Sequence, residues 1–268
     1  MSTIRVLVSG ACGRMGSEVV RAVCAESDLI LVAAVDPRGE GQDAAAFAGL
    51  PASGVVIRPN LIDALAETRP DVAIDFTEPD AAFANALAVV AAGSRPVIGT
   101  TGIPSDGIRQ LAQAITETGL SGLVAPNFAI GAVLLMKFAA AAAKYLPHCE
   151  IIELHHDGKK DAPSGTALYT ARLIAAAKRT GAPVAAVQEQ ILIPGARGCI
   201  SDGVPIHSVR LPGYVASQEV IFGGPGQTLS LRHDTIDRKC FMPGIVMATR
   251  RIVDLQGFYL GLESILDV

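Results

Sequence analysis

Positive charge is scarce in this chain. Across 268 residues, 22 Lys and Arg face 26 Asp and Glu, for a formal charge of −4. A general nucleic-acid binder usually carries a basic face, so no nucleic-acid partner is expected. Charged residues make up only 18% and hydrophobic ones 50%. That excludes a disordered chain, which lacks the apolar surface whose burial offsets the entropy of folding. No apolar run approaches the roughly 20 residues of a membrane-spanning helix, so no membrane partner is expected either. The start, MSTIRVLVSGACGRMG, has no basic stretch followed by an apolar h-region, which predicts no signal peptide. Five cysteines (Cys12, Cys24, Cys149, Cys199, Cys240) are odd in number, scattered and free of any CxxC. Neither a disulfide framework nor a metal site is predicted from them. Together these absences point to a reduced, cytoplasmic, globular protein, long enough for one large or two ordinary domains.

What is present is alternation. IRVLVSG (4–10), LILVAAVD (29–36), DVAIDF (71–76), RPVIGTTG (95–102) and GLVAPNF (122–128) read as strands with continuous apolar runs. Helical patterns such as GRMGSEVVRAVCAE (13–26) and PDAAFANALAVVAAG (79–93) separate them. Buried strands alternating with helices predict a parallel sheet covered on both faces, a doubly wound Rossmann-type α/β domain over residues 1–128. The character then changes. AIGAVLLMKFAAAAAKYL (129–146) reads as a long apolar helix, expected to be buried between two bodies. After it come EIIELHH, a helix from Gly165 to about Arg179, and the β-rich segments QEQILI, IHSVRL, ASQEVIF and GQTLSLRH with Gly/Pro turns. These predict an α+β domain over 129–240 with an open mixed sheet. FMPGIVMATRRIVDL (241–255) reads as a last helix that returns to complete the first domain with 241–268.

Gly10-Ala11-Cys12-Gly13-Arg14-Met15-Gly16 joins the first predicted strand to the first helix. A phosphate can approach backbone only where side chains are absent, and a helix N-terminus supplies positive potential there. The spacing is GxxGxxG rather than GxGxxG, but strand, glycine turn, helix and an acid-terminated strand supply the context. Asp36 lies where an acid would bind the adenosine ribose hydroxyls of a dinucleotide. Gly99-Thr100-Thr101 and Ala125-Pro126-Asn127-Phe128 sit at the carboxyl ends of other predicted strands, where open α/β sheets bind ligands. They are read as lining the nicotinamide half.

The chain has only five histidines, yet places two together in ELHHDGKKDAPSGTA (153–167). If 151–156 is a strand, His155 and His156 point to opposite faces and at most one aims squarely at a given point. Ser164 reads as an N-cap, leaving the N–H groups of Gly165 and Thr166 to face an anion that a lysine nearby would neutralise.

The run His155-His156-x-x-Lys159-x-Asp161-Ala162-Pro163-Ser164-Gly165-Thr166-Ala167 resembles the signature of the 4-hydroxy-tetrahydrodipicolinate reductase (dihydrodipicolinate reductase) family. The resemblance extends along the chain through GACGRMG, DFTEP, GTTG, APNF and RHDTIDRKCFMPG (232–244). It implies that His155 and Lys159 are the acid/base histidine and the proton-donating lysine, and that His156, Gly165 and Thr166 bind substrate. It implies dinucleotide contacts at Gly10, Ala11, Cys12, Gly13, Arg14, Met15, Asp36, Gly99, Thr100, Thr101, Ala125, Pro126, Asn127 and Phe128. The implied substrate is a cyclic imine dicarboxylate, reduced with NADH, NADPH or both, without a metal, by a homotetramer whose sheet domains associate. Some members place an arginine directly after the acid to hold a 2′-phosphate, whereas here Pro37 intervenes before Arg38. The fixed φ of Pro37 leaves open whether Arg38 reaches the ribose or points into solvent. Two other readings compete: another two-domain amino- or imino-acid dehydrogenase, and a non-catalytic NADP-binding redox sensor.

Overall fold

A computed structural model describes residues 3–178 and 190–267. The chain runs β1 (Ile4–Ser9), α1 (Arg14–Ala25), β2 (Leu29–Val35), α2 (Ala44–Phe47), β3 (Ile57–Arg58), α3 (Leu61–Thr68), β4 (Val72–Asp75), α4 (Pro79–Ala91), β5 (Arg95–Ile98), α5 (Ser105–Thr118) and β6 (Ser121–Val124). It continues through α6 (Ile130–Ala143), β7 (His148–His155), α7 (Gly165–Ala177), β8 (Cys199–Ser201), β9 (Val204–Arg210), β10 (Ala216–Gly224) and β11 (Gln227–Thr235). α8 (Met242–Ile252) and β12 (Gly257–Leu260) follow, and a 3-10 turn at Leu262–Ile265 comes last. Two compact units result, one up to Phe128 resumed from Arg238, the other from Ala129 to Asp237.

The first unit holds a seven-stranded sheet in the order β12-β6-β5-β4-β1-β2-β3. Every strand pair in it is parallel. β4 and β6 are buried along their whole length, as strands covered on both faces must be. Leu7, Val35, Leu65 and Val89 pack in one core cluster, and Ala86, Ile98, Leu111 and Ile115 in another. From β1 the chain builds outward to β2 and β3, then returns to place β4, β5 and β6 on the other side. The order therefore reverses between β1 and β4. Open α/β sheets bind ligands beyond the carboxyl ends of the strands at such a switch point.

The second unit holds a mixed five-stranded sheet, β11-β10-β7-β9-β8. β7 is parallel to β9 and antiparallel to β10. α6 and α7 pack on each other and cover one face of this sheet. Ile151, Ile206, Val220 and Phe222 are buried on that face. Both the doubly wound parallel sheet and the mixed sheet expected from sequence are thus present.

Two local expectations are corrected, and one strand is added. The 129–146 helix is not buried all round. α6 buries Val133, Met136 and Ala139, while Phe138 is 46% exposed and Tyr145, just past its end, 80% exposed. The reason is geometric, since one helix face packs on α7 and the sheet, while Phe138 and Ala141 lie on the other face and stay exposed. QEQILI is not a strand in its described part. Ile191, Leu192 and Ile193 lie in irregular chain that turns at Gly195, whose φ of +86° ends any extended run. The remainder of that segment, with Gln188 and Glu189, and the predicted helix end at Arg179 lie outside the described residues. β12 was not foreseen. It adds a seventh strand beside β6, with Gly257–Leu260 in register with Ser121–Val124.

Candidate active site

Gly10 follows β1 with φ +79°, a conformation that glycine adopts at no steric cost. A Cβ there would stand 2.5 Å from the Phe76 carbonyl oxygen, and one on Gly16 would stand 1.9 Å from the Gly10 oxygen. The turn is therefore held tight, and α1 can start against it. Gly13 is the N-cap of α1, with no capping side chain and no acid in the first turn. This helix end leaves its positive potential uncompensated, as an anion site requires. Gly10, Gly13, Arg14, Met15, Asp36 and the Gly99–Thr101 run border one cleft of about 1360 Å³ at the switch point. These features fit a dinucleotide.

Ala11 and Cys12 support the turn from beneath. The Ala11 N–H donates to the Val35 carbonyl at 3.1 Å. The Cys12 N–H donates to Asp36 Oδ2 at 3.0 Å. Ala125, Pro126, Asn127 and Phe128 follow β6 and lie outside the cleft lining; Ala125 and Phe128 are buried, and the Phe128 ring lies 6.0 Å from that of Phe76.

Asp36 is only 2% exposed. Arg38 reaches it three times, from its N–H at 2.9 Å, Nε at 3.1 Å and Nη2 at 3.2 Å. Pro37 therefore does not send Arg38 away; the guanidinium folds back on the acid. Burial opposes ionisation of Asp36, but the hydrogen bonds from Arg38 and Cys12 outweigh it and hold the carboxyl below its usual range.

One device beside the cleft has no counterpart in the sequence reading. Asp75, at the end of β4, is 5% exposed and accepts from the Thr77 N–H at 3.0 Å and the Thr77 hydroxyl at 2.7 Å. Asn85 Nδ2 donates to it at 3.0 Å and the Thr100 hydroxyl at 2.8 Å. A single buried carboxylate thus aligns the ends of β4 and β5 and the start of α4. The strand-terminal acid in DFTEP was visible as a signal, but its partners 10 and 25 residues on were not.

In the second unit, His155 ends β7 and its Nδ1 lies 2.5 Å from Oε2 of Glu153. Burial depresses the His155 pKa; Glu153 opposes this, while the charges of Lys159 and Arg210 add to it, and the net shift is down. Lys159 Nζ is held between the two oxygens of Asp161 at 2.7 and 2.8 Å. Ser164 caps α7, its hydroxyl accepting from the Ala167 N–H at 3.2 Å. The N–H groups of Gly165 and Thr166, in the first turn, have no partner among the described residues. His156 lies just past the strand end and its ring passes close to Gly158. Glu153 and Arg210 were missed from sequence; they meet across 57 residues.

Residues 4–128 match the family described as Dihydrodipicolinate reductase, N-terminus, and residues 131–266 that described as Dihydrodipicolinate reductase, C-terminus. The chain is 48% identical over 267 residues to a 4-hydroxy-tetrahydrodipicolinate reductase of Moorella thermoacetica, covering 100% of this chain and 99% of that one. It is 47% identical over 271 residues to one from Desulfitobacterium hafniense, covering 100% of both. Among solved structures, a dipicolinate-bound dihydrodipicolinate reductase from Paenisporosarcina sp. TG-14 superposes with a TM-score of 0.87 at 42% identity, covering 98% of this chain and 100% of that one. With the fold, the glycine turn and the histidine–lysine turn in agreement, the chain belongs to the dihydrodipicolinate reductase family.

Proposed function

We propose that this chain catalyses the NAD(P)H-dependent reduction of 4-hydroxy-tetrahydrodipicolinate, by way of dihydrodipicolinate, to tetrahydrodipicolinate in lysine and diaminopimelate biosynthesis. The observation that carries this reading is the grouping within one unit of His155, Lys159 and the first turn of α7, where the Gly165 and Thr166 N–H groups have no partner among the described residues. Two carboxylates on the substrate explain the need for both a helix N-terminus and a cation. Gly165, Thr166 and His156 bind the dicarboxylate. Dipicolinate, the planar mimic bound by the Paenisporosarcina relative, competes with substrate and not with coenzyme.

The dinucleotide is held by the glycine turn from Gly10 to Met15, by Asp36, by Gly99–Thr101 and by Ala125–Phe128; when bound, its nicotinamide supplies a hydride. The chain's own residues handle the protons. His155, neutral because of its depressed pKa, takes the proton lost from the ring carbon beside the imine. It then returns that proton to the departing hydroxide, which leaves as water. Lys159 protonates the same ring carbon after reduction. The protein acts in the cytoplasm as a homotetramer. The helix-free face of the second unit's sheet, with Ile200 74% exposed, supports association through that face.

Both coenzymes are used. Asp36 favours the free ribose hydroxyls of NADH, but the Arg38 guanidinium already on it offsets the repulsion of a 2′-phosphate, and Arg14 stands at the same cleft. Values of kcat/KM for NADH and NADPH will fall within about tenfold of each other, and Arg38→Ala will shift the ratio toward NADH by about tenfold, the loss of one charge-assisted contact. The test is steady-state kinetics with both coenzymes. A wild-type ratio beyond about a hundredfold, or no change in Arg38→Ala, contradicts this balance. The reaction itself is tested by adding 4-hydroxy-tetrahydrodipicolinate to enzyme and NAD(P)H; absorbance that does not fall refutes it.

A further inference from the structure

Glu153 is wholly buried, with its carboxyl oxygens against Arg210 and His155. It lies two residues before His155 on β7, so the two side chains share the helix-covered face. On the neighbouring strand β9, Arg210 stands opposite His155 and Ser208 opposite Glu153. Arg210 grips both carboxylate oxygens, Nη1 to Oε2 at 2.9 Å and Nη2 to Oε1 at 2.7 Å. The same Nη2 donates to the carbonyl of Asp161 at 2.8 Å, and the Asp161 carboxylate holds Lys159. One guanidinium is thereby tied to both proton-handling side chains. A buried ion pair adds little net stability, because desolvation offsets its attraction, so the effect of this one lies in orientation.

We propose that Glu153 and Arg210 are positioning residues for the proton-transfer pair. Glu153 holds His155 as its Nδ1–H tautomer with Nε2 presented for proton exchange, and Arg210 holds Glu153 while fixing, through Asp161, the turn that carries Lys159. This rests on the roles given to His155 and Lys159 above. A neutral imidazole has one N–H, and an ionised carboxylate can only accept, so the proton must sit on Nδ1. A protonated Glu153 could donate to Nδ1 and reverse the tautomer. Burial pushes Glu153 that way, but the bonds from Arg210, Ser208 and His155 outweigh it and keep the carboxyl below its usual range. When Nε2 gains a proton, the same carboxylate stabilises the imidazolium, while Lys159 and Arg210 hasten its release.

Nitrogen NMR of the ¹⁵N-histidine-labelled protein near neutral pH tests this, with His155 assigned by its loss in His155→Gln. Wild type is expected to show protonated Nδ1 and unprotonated Nε2; the opposite tautomer overturns the proposal. Glu153→Gln can donate as well as accept, so it is expected to mix the tautomers and lower kcat by about 10²-fold. Its substrate KM will stay within about twofold, since the side chain does not touch substrate. The acid limb of its pH profile will move lower, because the charge that raises the His155 pKa is gone. An unchanged kcat and pH profile overturns the proposal, as does a fall in melting temperature with the tautomer unmoved. If the unpaired Arg210 prevents folding, Glu153→Gln with Arg210→Met removes both charges; its tautomer and kcat are read in the same way, while its acid limb is not, because the two charges act oppositely on His155. The tautomer needs no turnover to be seen, so a protonated Nδ1 in a protein inert toward 4-hydroxy-tetrahydrodipicolinate would count against the enzymatic reading alone.

Discussion

Replacing His155 or Lys159 by alanine will lower kcat by about 10²–10⁴-fold, the usual contribution of a positioned acid or base, with coenzyme affinity little changed. Both changes should leave the fold intact. Without His155, Glu153 keeps its two-pronged bond to Arg210; without Lys159, Asp161 is exposed to water and its backbone stays tied to Arg210. Loss of rate will therefore not be loss of fold, which circular dichroism verifies. The pH dependence carries a sign. In the proposed mechanism His155 acts from its neutral form, and burial places its pKa below the ordinary value of about 6.5. Activity that depends on it is thus full through neutral pH and lost only as pH falls through that lowered value. His155→Ala removes this limb. Near-wild-type turnover in both variants would take the pair out of the mechanism.

Gly165→Val will raise the substrate KM by about tenfold or more, a loss equivalent to roughly one charge-assisted hydrogen bond, while coenzyme KM stays constant. Gly165 opens α7, and a Cβ built on it meets nothing within 4 Å. A side chain there fits the protein and occupies the space in front of the free N–H groups of Gly165 and Thr166. The melting temperature should hardly move, because one β-branched residue in a first turn costs less than about 1 kcal/mol. Initial-rate kinetics with each substrate varied in turn make the separation. An unchanged substrate KM would show that the dicarboxylate does not sit at this helix start.

The contrast between what was legible and what was not follows sequence distance. IRVLVSG and LILVAAVD read as buried strands because parallel strands are apolar on both faces, and the glycines of GACGRMG read as a turn because backbone conformation is local. Ser164 read as a cap for the same reason. β3 escaped notice, since Ile57–Arg58 is only two residues long and pairs with the end of β2. ILI at 191–193 has strand composition, but composition does not report that Gly195 turns the chain. Arg210 looked like one more strand arginine. Only the β7–β9 pairing places it against a glutamate 57 residues earlier. Likewise, the pairing of Asp36 with Arg38 depended on a side-chain rotamer past a proline, which no spacing rule specifies.

The most direct test of the central claim is the fate of the label when NADH or NADPH deuterated at the transferable position of its nicotinamide is incubated with enzyme and 4-hydroxy-tetrahydrodipicolinate. Mass spectrometry and proton NMR of the product should show one deuterium, on the ring carbon that bore the hydroxyl, and none on its neighbour, whose proton comes from Lys159 in the proposed mechanism. Oxidised coenzyme without labelled tetrahydrodipicolinate, or label on the neighbouring carbon, would contradict the assignment of this chain to that reaction.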